Sequence, residues 1–210
     1  MLHLLAWPET RRRLPRLLLG LVLCGVGLSL LVRAELGLDP WDVFHQGVAD
    51  HTGIPIGTVS ILTGVPVLLA WIPLRERIGL GTVLNVVLIG LTIDATLALV
   101  GAPEALAARV GFLVGGTVAF AVGSGFYIGA GLGPGPRDGL MTSIAHRGHS
   151  VRVVRTTIEV LVLAVGWLLG GTVGVGTLFF AATIGPLVHL TLPRLTIGDA
   201  TAPETVIGAE

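Results

Sequence analysis

Two short polar segments interrupt the apolar sequence at equivalent points. They are residues 37–42 (Gly-Leu-Asp-Pro-Trp-Asp) and residues 133–138 (Gly-Pro-Gly-Pro-Arg-Asp). Gly, Pro and Asp recur at the same spacing, and each segment follows a long apolar run. Proline ends a preceding helix and is favoured at the first position of the next one. Each segment therefore predicts a break in the chain followed by a short helix, the first of them running from Pro40 to about Ala49.

The two segments belong to a duplication that covers most of the chain. Residue identities recur at an offset of 96 positions (40 to 136) and, after one residue is lost in a turn, of 95 positions (79 to 174). Matches of Gly or Leu are common by chance in such sequences, but ordered matches of Pro, Asp and Trp are not. These include Pro40/Pro136, Asp42/Asp138 and Trp71/Trp167. We therefore divide the chain into a basic tail (1–16), two repeats (17–101 and 102–194) and a flexible tail (195–210).

The composition indicates a membrane protein. Hydrophobic residues make up 52% of the chain and charged residues 12%, whereas a soluble domain has about 25% charged residues. The apolar runs are long enough to cross a bilayer, and the short helices are not. Six spans are predicted, at residues 17–34, 56–74, 79–101, 110–130, 151–171 and 175–193.

The number of spans in each half predicts an inverted repeat. With three spans per half, the second half enters the membrane from the side opposite to the first. Arginine distribution supports this topology, because cytoplasmic segments of membrane proteins are rich in basic residues. With the N-terminus in the cytoplasm, only Arg33 and Arg109 of the 13 basic residues lie outside. Both termini are then cytoplasmic, and the short helices belong to opposite sides. Whether these helices enter the membrane or lie on it stays open at this point.

The segment Gly131-Leu132-Gly133-Pro134-Gly135-Pro136-Arg137-Asp138-Gly139-Leu140-Met141 resembles that of the YczE/YyaS/YitT family of bacterial integral membrane proteins, and is closest to the YczE branch. The resemblance extends over about residues 15–194. It implies a compact multi-span protein of the bacterial plasma membrane. It implies no reaction and no site residues, because no biochemical activity is settled for that family.

Asp42 and Asp138 occupy the third position of their predicted short helices. A carboxylate there favours the positive end of the helix dipole, which is a structural role that suffices for Asp138. The alternative is that a helix N-terminus within the membrane contributes to a binding site, as in transporters with discontinuous helices. An acidic residue at such a site favours a cation or a proton over an anion. Asp42, Asp138 and the adjacent Arg137 are therefore candidate binding residues.

Glu159 lies about two turns into the fifth predicted span, where the first half has Thr63. An ionisable residue in a span costs about 3 kcal/mol on insertion scales and indicates a functional site by default. The alternative is an ion pair with Arg155, four residues earlier on the same helix face. The two interpretations are compatible, since a paired glutamate can still exchange a proton.

Asp94 in the third span and His189 in the sixth are equivalent residues of the repeat. Equivalent residues of an inverted repeat surround one pseudo-two-fold axis, so both could line the interface of the halves and relay a proton. The alternative is that each lies near a membrane face and extends its polar group to water.

The sequence thus predicts an all-α membrane protein with six transmembrane helices, two short broken or re-entrant helices and an inverted 3+3 repeat. A small-solute transporter or permease, coupled to protons, is the favoured function, and a homodimer would suit its small size. The alternative is a membrane accessory protein that binds or stabilises a partner; a Gln at position 159 would separate the two. No nucleophile–base pair, metal-ligand spacing or cofactor motif is present, and the zero net charge gives no basis for nucleic-acid binding.

Overall fold

The computed structural model of the protein describes residues 7–197, which form eight helices. All of the regular elements in this range are helices, so the predicted all-α class is confirmed for it. Four of the helices precede residue 102 and four follow it. The helices are α1 (Trp7–Ala34), α2 (Pro40–Thr52), α3 (Ile56–Leu74), α4 (Leu80–Leu99), α5 (Leu106–Gly129), α6 (Pro136–Ala145), α7 (Val151–Leu168) and α8 (Val175–Leu195).

Five of the described helices are long and apolar enough to cross a membrane, namely α1, α3, α4, α5 and α8. Helix α7, which corresponds to the fifth predicted span, has 18 residues. It contains Arg152, Arg155 and Glu159, and it is too short for an apolar stretch of spanning length that leaves them out. Helices α2 and α6 begin at Pro40 and Pro136 as predicted, and α2 continues to Thr52 rather than ending at about Ala49.

The first helix begins earlier than the apolar pattern predicted. The arginine-rich segment before residue 17 is helical from Trp7, because its side chains find partners at the end of the bundle. The Arg13 Nη1 atom, for example, donates to the Ala130 carbonyl at 3.4 Å. At the other terminus, the Ile197 amide donates to the Gly129 carbonyl at 3.1 Å. The rest of the two predicted tails, residues 1–6 and 198–210, lies outside the described residues.

Helices α1 and α5 form the centre of the bundle and pack through small residues. Gly20 lies against Gly123, and Gly27 lies against Gly116. A Cβ atom added to any of the four would come within 2.6–2.7 Å of the opposite carbonyl oxygen. Since residue numbers rise along one helix as they fall along the other, the two helices are antiparallel. Close approach of this kind is typical of helix pairs with small residues in membranes.

Contacts between the two halves are reciprocal. The Gly81 amide donates to the Leu132 carbonyl at 2.8 Å, and the equivalent Gly176 amide donates to the Leu36 carbonyl at 2.7 Å. The next residues after these carbonyls, Gly37 and Gly133, have φ angles of 115° and 128°. Only glycine adopts such angles without strain, which explains why both copies of the broken segment begin with it.

The two halves differ in how their later helices pack. Helix α3 packs against α4, whereas the corresponding helix α7 packs mainly against α2. Helix α8 packs against α5, as α4 packs against α1. Two tryptophans at equivalent positions reflect this difference. Trp71 is fully buried and its Nε1 atom donates to the Pro136 carbonyl, while Trp167 is 64% exposed. Trp71 therefore belongs to the interior of the protein, and Trp167 lies on its surface.

Candidate functional site

The α1/α5 pair defines two opposite ends of the molecule. Arg13 contacts Ala130 at one end. At the other end, Arg109 Nη2 and Glu35 Oε2 form an ion pair at 2.9 Å. Because a helix rises 1.5 Å per residue, these two ends lie about 30 Å apart. The chain leaves α1 at one end and leaves α5 at the other, so the segments leading into α2 and α6 start far from each other.

The starts of the two short helices are nevertheless joined by a side-chain contact. The Arg137 guanidinium, in the first turn of α6, lies 4.8 Å from the centre of the Trp41 ring, in the first turn of α2. The non-helical segments 35–39 and 131–135 must therefore run inward, toward each other. Trp41 and Arg137 occupy equivalent positions at the sequence offset of 96 (41 to 137).

Around this contact is a cluster of ionisable side chains from both halves, in which the residues of the first half are buried and the Arg137 side chain is 28% exposed. Asp39 caps α2, and its Oδ1 atom accepts a hydrogen bond from the Asp42 amide at 3.2 Å. Asp42 Oδ1 lies 2.9 Å from His45 Nδ1. Arg137 reaches both carboxylates, with its Nη1 atom 3.6 Å from Asp39 Oδ2 and its Nη2 atom 4.0 Å from Asp42 Oδ1. Asp42 and His45 are each only 1% exposed.

Burial changes the protonation of these groups, which lie outside the candidate spans. Burial, followed by the neighbouring Asp42 charge, raises the pKa of Asp39 to about 7. Burial also raises the pKa of Asp42, against the opposing effect of Arg137. Burial, followed by the Arg137 charge, lowers the pKa of His45 to about 3, so its imidazole is neutral. Two ionised carboxylates and one guanidinium would leave a net charge of −1, which one proton or one cation would neutralise.

Two buried polar atoms of the cluster have no hydrogen-bond partner among the described residues. These are the second carboxylate oxygen of Asp42, Oδ2, and the indole nitrogen of Trp41, Nε1. Buried polar atoms are nearly always paired, because an unpaired one has lost its hydration without compensation. An unpaired carboxylate oxygen beside a neutral histidine is a free acceptor that a ligand or a proton could use.

Asp138 lies in a separate polar contact on the other side of α6. The Tyr127 hydroxyl donates to Asp138 Oδ2 at 3.3 Å, and Arg155 interacts electrostatically with the same carboxylate. Space beside the carboxylate is small, because a Cβ atom added to Gly135 would come within 3.0 Å of the Tyr127 hydroxyl. Asp138 thus has a hydrogen-bond donor on α5 and a nearby positive charge on α7, whereas the partners of Asp42 belong to α2 and α6.

Asp94 caps helix α3 from the neighbouring helix. Its Oδ1 atom accepts the Gly57 amide and its Oδ2 atom accepts the Thr58 hydroxyl, both at 2.7 Å. His189 is exposed on α8. No hydrogen bond or ion pair joins it to Asp94 within residues 7–197, so the structure does not bring this predicted pair together.

Glu159 forms the ion pair that its spacing allows. Its Oε1 atom lies 3.0 Å from Arg155 Nε, and the two side chains are 34% and 50% exposed. Among the predicted site residues, the structure therefore assembles Asp42 and Arg137 and leaves Asp94, Glu159 and His189 elsewhere. Within the described range, no group of three His, Cys, Asp or Glu side chains could hold a metal ion.

Sequence reasoning missed three members of the cluster. The sequence pattern singles out Asp42 and Arg137 as candidate site residues and does not single out Asp39, Trp41 or His45. Trp41 is 8% exposed and packs against Met141 and neighbouring apolar side chains. The alignment of the two halves offers a signal for this site, because it pairs the aromatic ring of Trp41 with the guanidinium of Arg137.

Comparison with known proteins gives a family and relatives without an assigned activity. Residues 11–193 match a family described as "Family of unknown function (DUF6198)". An uncharacterised protein of Haemophilus influenzae is 41% identical over 187 residues, which cover 89% of this chain and 86% of the relative. No solved structure matches.

Two relatives from Bacillus subtilis extend the comparison. The uncharacterised membrane protein YczE is 35% identical over 179 residues, with 83% of each chain covered. The uncharacterised protein YyaS is 27% identical over 183 residues, covering 83% of this chain and 90% of the relative. These similarities agree with the resemblance carried by the Gly-Pro-Arg-Asp-Gly segment.

Proposed function

The chain belongs to the DUF6198 family of unknown function, and we propose that it is a proton-coupled transporter or permease for a small solute in the bacterial plasma membrane. The observation that carries this proposal is the contact of Arg137, in the first turn of α6, with side chains at the start of α2. Asp39 and Asp42 are buried there beside His45, and one carboxylate oxygen of Asp42 is unpaired among the described residues. Discontinuous helices that meet at the membrane midplane form the substrate and ion sites of many secondary transporters.

The proposed topology is an inverted 3+3 repeat with six spans, both short helices re-entrant and both termini cytoplasmic. It is supported by the antiparallel α1/α5 pair, which relates the first helix of each half, and by the reciprocal contacts of Gly81 and Gly176. It requires α7 to cross the membrane with its charges paired. The ion pair of Arg155 with Glu159 and its electrostatic interaction with Asp138 favour that requirement.

In this proposal, Asp39 and Asp42 bind the coupling proton. Asp39 has a pKa of about 7 and is therefore protonated below neutral pH and ionised above it. A carboxyl group that changes charge near pH 7 can load a proton on one side of a membrane and release it on the other. His45 orients the Asp42 carboxylate without adding charge.

The alternative proposal is a non-transporting accessory protein, which stabilises a membrane partner or a second copy of itself. It is favoured by Asp94 and Glu159, because both of these predicted intramembrane acids have partners within the fold. Such pairing is what a purely structural protein would need. The cluster at Arg137 is harder to explain under this proposal, because the unpaired carboxylate oxygen of Asp42 would destabilise the fold without serving a function.

Cysteine labelling in intact cells tests the topology. In a Cys24→Ser background, single cysteines replace Asp50 and His146, which are exposed near the ends of α2 and α6. We expect Asp50→Cys to react with a membrane-impermeant reagent and His146→Cys to react only after permeabilisation. Cysteines at Asp42 and Asp138 should be protected in both conditions. Reaction of positions 50 and 146 from the same side would eliminate the inverted repeat.

Proton flux tests the function. Proteoliposomes loaded with the pH indicator pyranine are exposed to gradients of methylammonium, guanidinium, glycine, lactate and glucose in turn. We expect at least one solute to change internal pH with the native protein. The Asp42→Asn variant should lose this response, while Asp50→Asn, an exposed control on the same helix, should keep it. If the native protein is folded in the liposomes and none of these solutes changes the internal pH, the accessory alternative is favoured.

A further inference from the structure

We propose that the central cluster binds a small organic cation of the guanidinium or alkylammonium class, and that Arg137 occupies this site as a tethered substitute for the ligand. This inference rests on the proposed transport function, for which it names the substrate class. It depends on the geometry around Trp41, Asp39 and Asp42, and its binding step can be measured without transport.

Arg137 itself shows what the site accepts. Its guanidinium lies over the Trp41 ring at 4.8 Å and faces two carboxylates. An aromatic face combined with anionic groups is the arrangement by which proteins bind organic cations, and its attraction increases when the cation is desolvated. The side chain crosses from α6 to α2, so the second half of the protein supplies the occupant of a site built by the first.

The contacts of Arg137 are loose enough for exchange. Its separations from Asp39 and Asp42, 3.6 and 4.0 Å, exceed the 2.7–2.9 Å of a charge-assisted hydrogen bond. Within residues 7–197, Asp42 Oδ2 accepts no hydrogen bond, although the residue is 1% exposed. A free guanidinium or ammonium ion is not restricted by a helix backbone, so its N–H groups could approach this oxygen more closely than Arg137 does.

The chemistry of the cluster favours an organic cation over a metal ion. Calcium and magnesium ions require about six or more oxygen ligands, and the cluster offers two carboxylates beside an aromatic face. A guanidinium group is weakly hydrated and planar, and it stacks on aromatic rings. Its displacement of Arg137 would break the contact between the first turns of α2 and α6, and would thereby couple binding to a change in how the halves meet.

Direct binding of radiolabelled guanidinium by equilibrium dialysis tests this inference, with the purified protein in detergent at slightly alkaline pH and sodium chloride to balance ionic strength. If Arg137 competes for the site, Arg137→Met should bind guanidinium at least about tenfold more tightly than the native protein. Arg147→Met is the matched control, because Arg147 is on the exposed end of the same helix region and bonds to Ser143; it should bind as the native protein does. Equal affinities of Arg137→Met and the native protein would overturn the proposal.

A second variant tests the acidic side of the site. Asp42→Asn should reduce guanidinium affinity at least about tenfold, and undiminished binding would also overturn the proposal. If this variant does not fold, the comparison of Arg137→Met with Arg147→Met decides alone. Radiolabelled guanidinium uptake into proteoliposomes separates the two proposals. Binding without uptake would refute transport and leave the cation site standing, whereas uptake of another solute without guanidinium binding would refute the cation site alone.

Discussion

Helices α2 and α6 each begin with a proline and carry an aspartate at the third position, but the surroundings of the two aspartates differ. In α2, Asp42 is buried beside a neutral histidine and keeps one oxygen unpaired. In α6, Asp138 is bonded to Tyr127 and interacts with Arg155. The two broken segments thus share a backbone conformation, but their side chains have different partners. One copy provides the anionic half of the central cluster, and the other copy provides the cation.

A second difference separates the outer helices of the two halves. Helix α3 is attached to α4 by close glycine contacts and by the Asp94 cap, whereas α7 is attached to α2 and does not share such a contact with α8. In the first half, α4 therefore packs against both α1 and α3, whereas in the second half α8 packs against α5 while α7 packs mainly against α2 of the first half. Four substitutions test this comparison, three of them with a matched variant at the equivalent position of the other half.

The largest expected effect is that of Trp71→Ala. Trp71 is fully buried against α6, and a Cβ atom added to Gly139 would lie 2.1 Å from its ring. Loss of such a side chain leaves a cavity and costs about 3–5 kcal/mol. The matched variant, Trp167→Ala, removes a largely exposed ring and should change stability by less than about 1 kcal/mol. Denaturant unfolding in micelles measures both, and equal losses would show that the halves pack alike.

Gly90→Ala should have the next largest effect. A Cβ atom at Gly90 would come within 2.4 Å of the Gly57 carbonyl oxygen, so helices α3 and α4 would have to separate. Overpacking of this kind costs about 1–3 kcal/mol. The equivalent glycine in α8, Gly185, has no atom within 4 Å of the added Cβ. Gly185→Ala should leave the unfolding midpoint unchanged or raise it slightly, and a matching loss there would contradict the proposed difference.

Asp94→Ala should destabilise α3 by removing its cap. Two acceptors for first-turn donors disappear, and loss of a helix cap costs about 1–2 kcal/mol. Its repeat equivalent, His189, is exposed and should tolerate alanine. Hydrogen exchange of the Gly57 amide, which donates to Asp94, is the sensitive measurement. Unchanged protection there would mean that Asp94 acts elsewhere.

The smallest expected effect is that of Glu159→Gln. A partly exposed ion pair at a spacing of four residues contributes about 0.3–0.5 kcal/mol, and Arg155 keeps its interaction with Asp138. We therefore expect a nearly native unfolding midpoint. In the pyranine assay, the variant should show a smaller loss of proton flux than Asp42→Asn. A greater loss than that of Asp42→Asn would move the proton site from the central cluster to α7.

Some site residues could be predicted because their chemistry is local. Asp39 and Pro40 encode the start of α2, and the i to i+4 spacing of Arg155 and Glu159 encodes their ion pair. Asp94 could not be assigned from the same pattern, because its partners Gly57 and Thr58 belong to another helix. A carboxylate in an apolar run indicates the need for a partner without identifying it.

The sequence by itself determined the all-helical class, the apolar helices, the duplication and the two broken segments, because periodicity, composition and proline chemistry act over a few neighbouring residues. The tertiary structure alone decided that the two breaks meet. Trp41 and Arg137 are 96 positions apart (41 to 137), and their contact depends on the inward course of two non-helical segments and on the antiparallel packing of α1 and α5. Such a contact follows from the path of the whole chain, which no local pattern records.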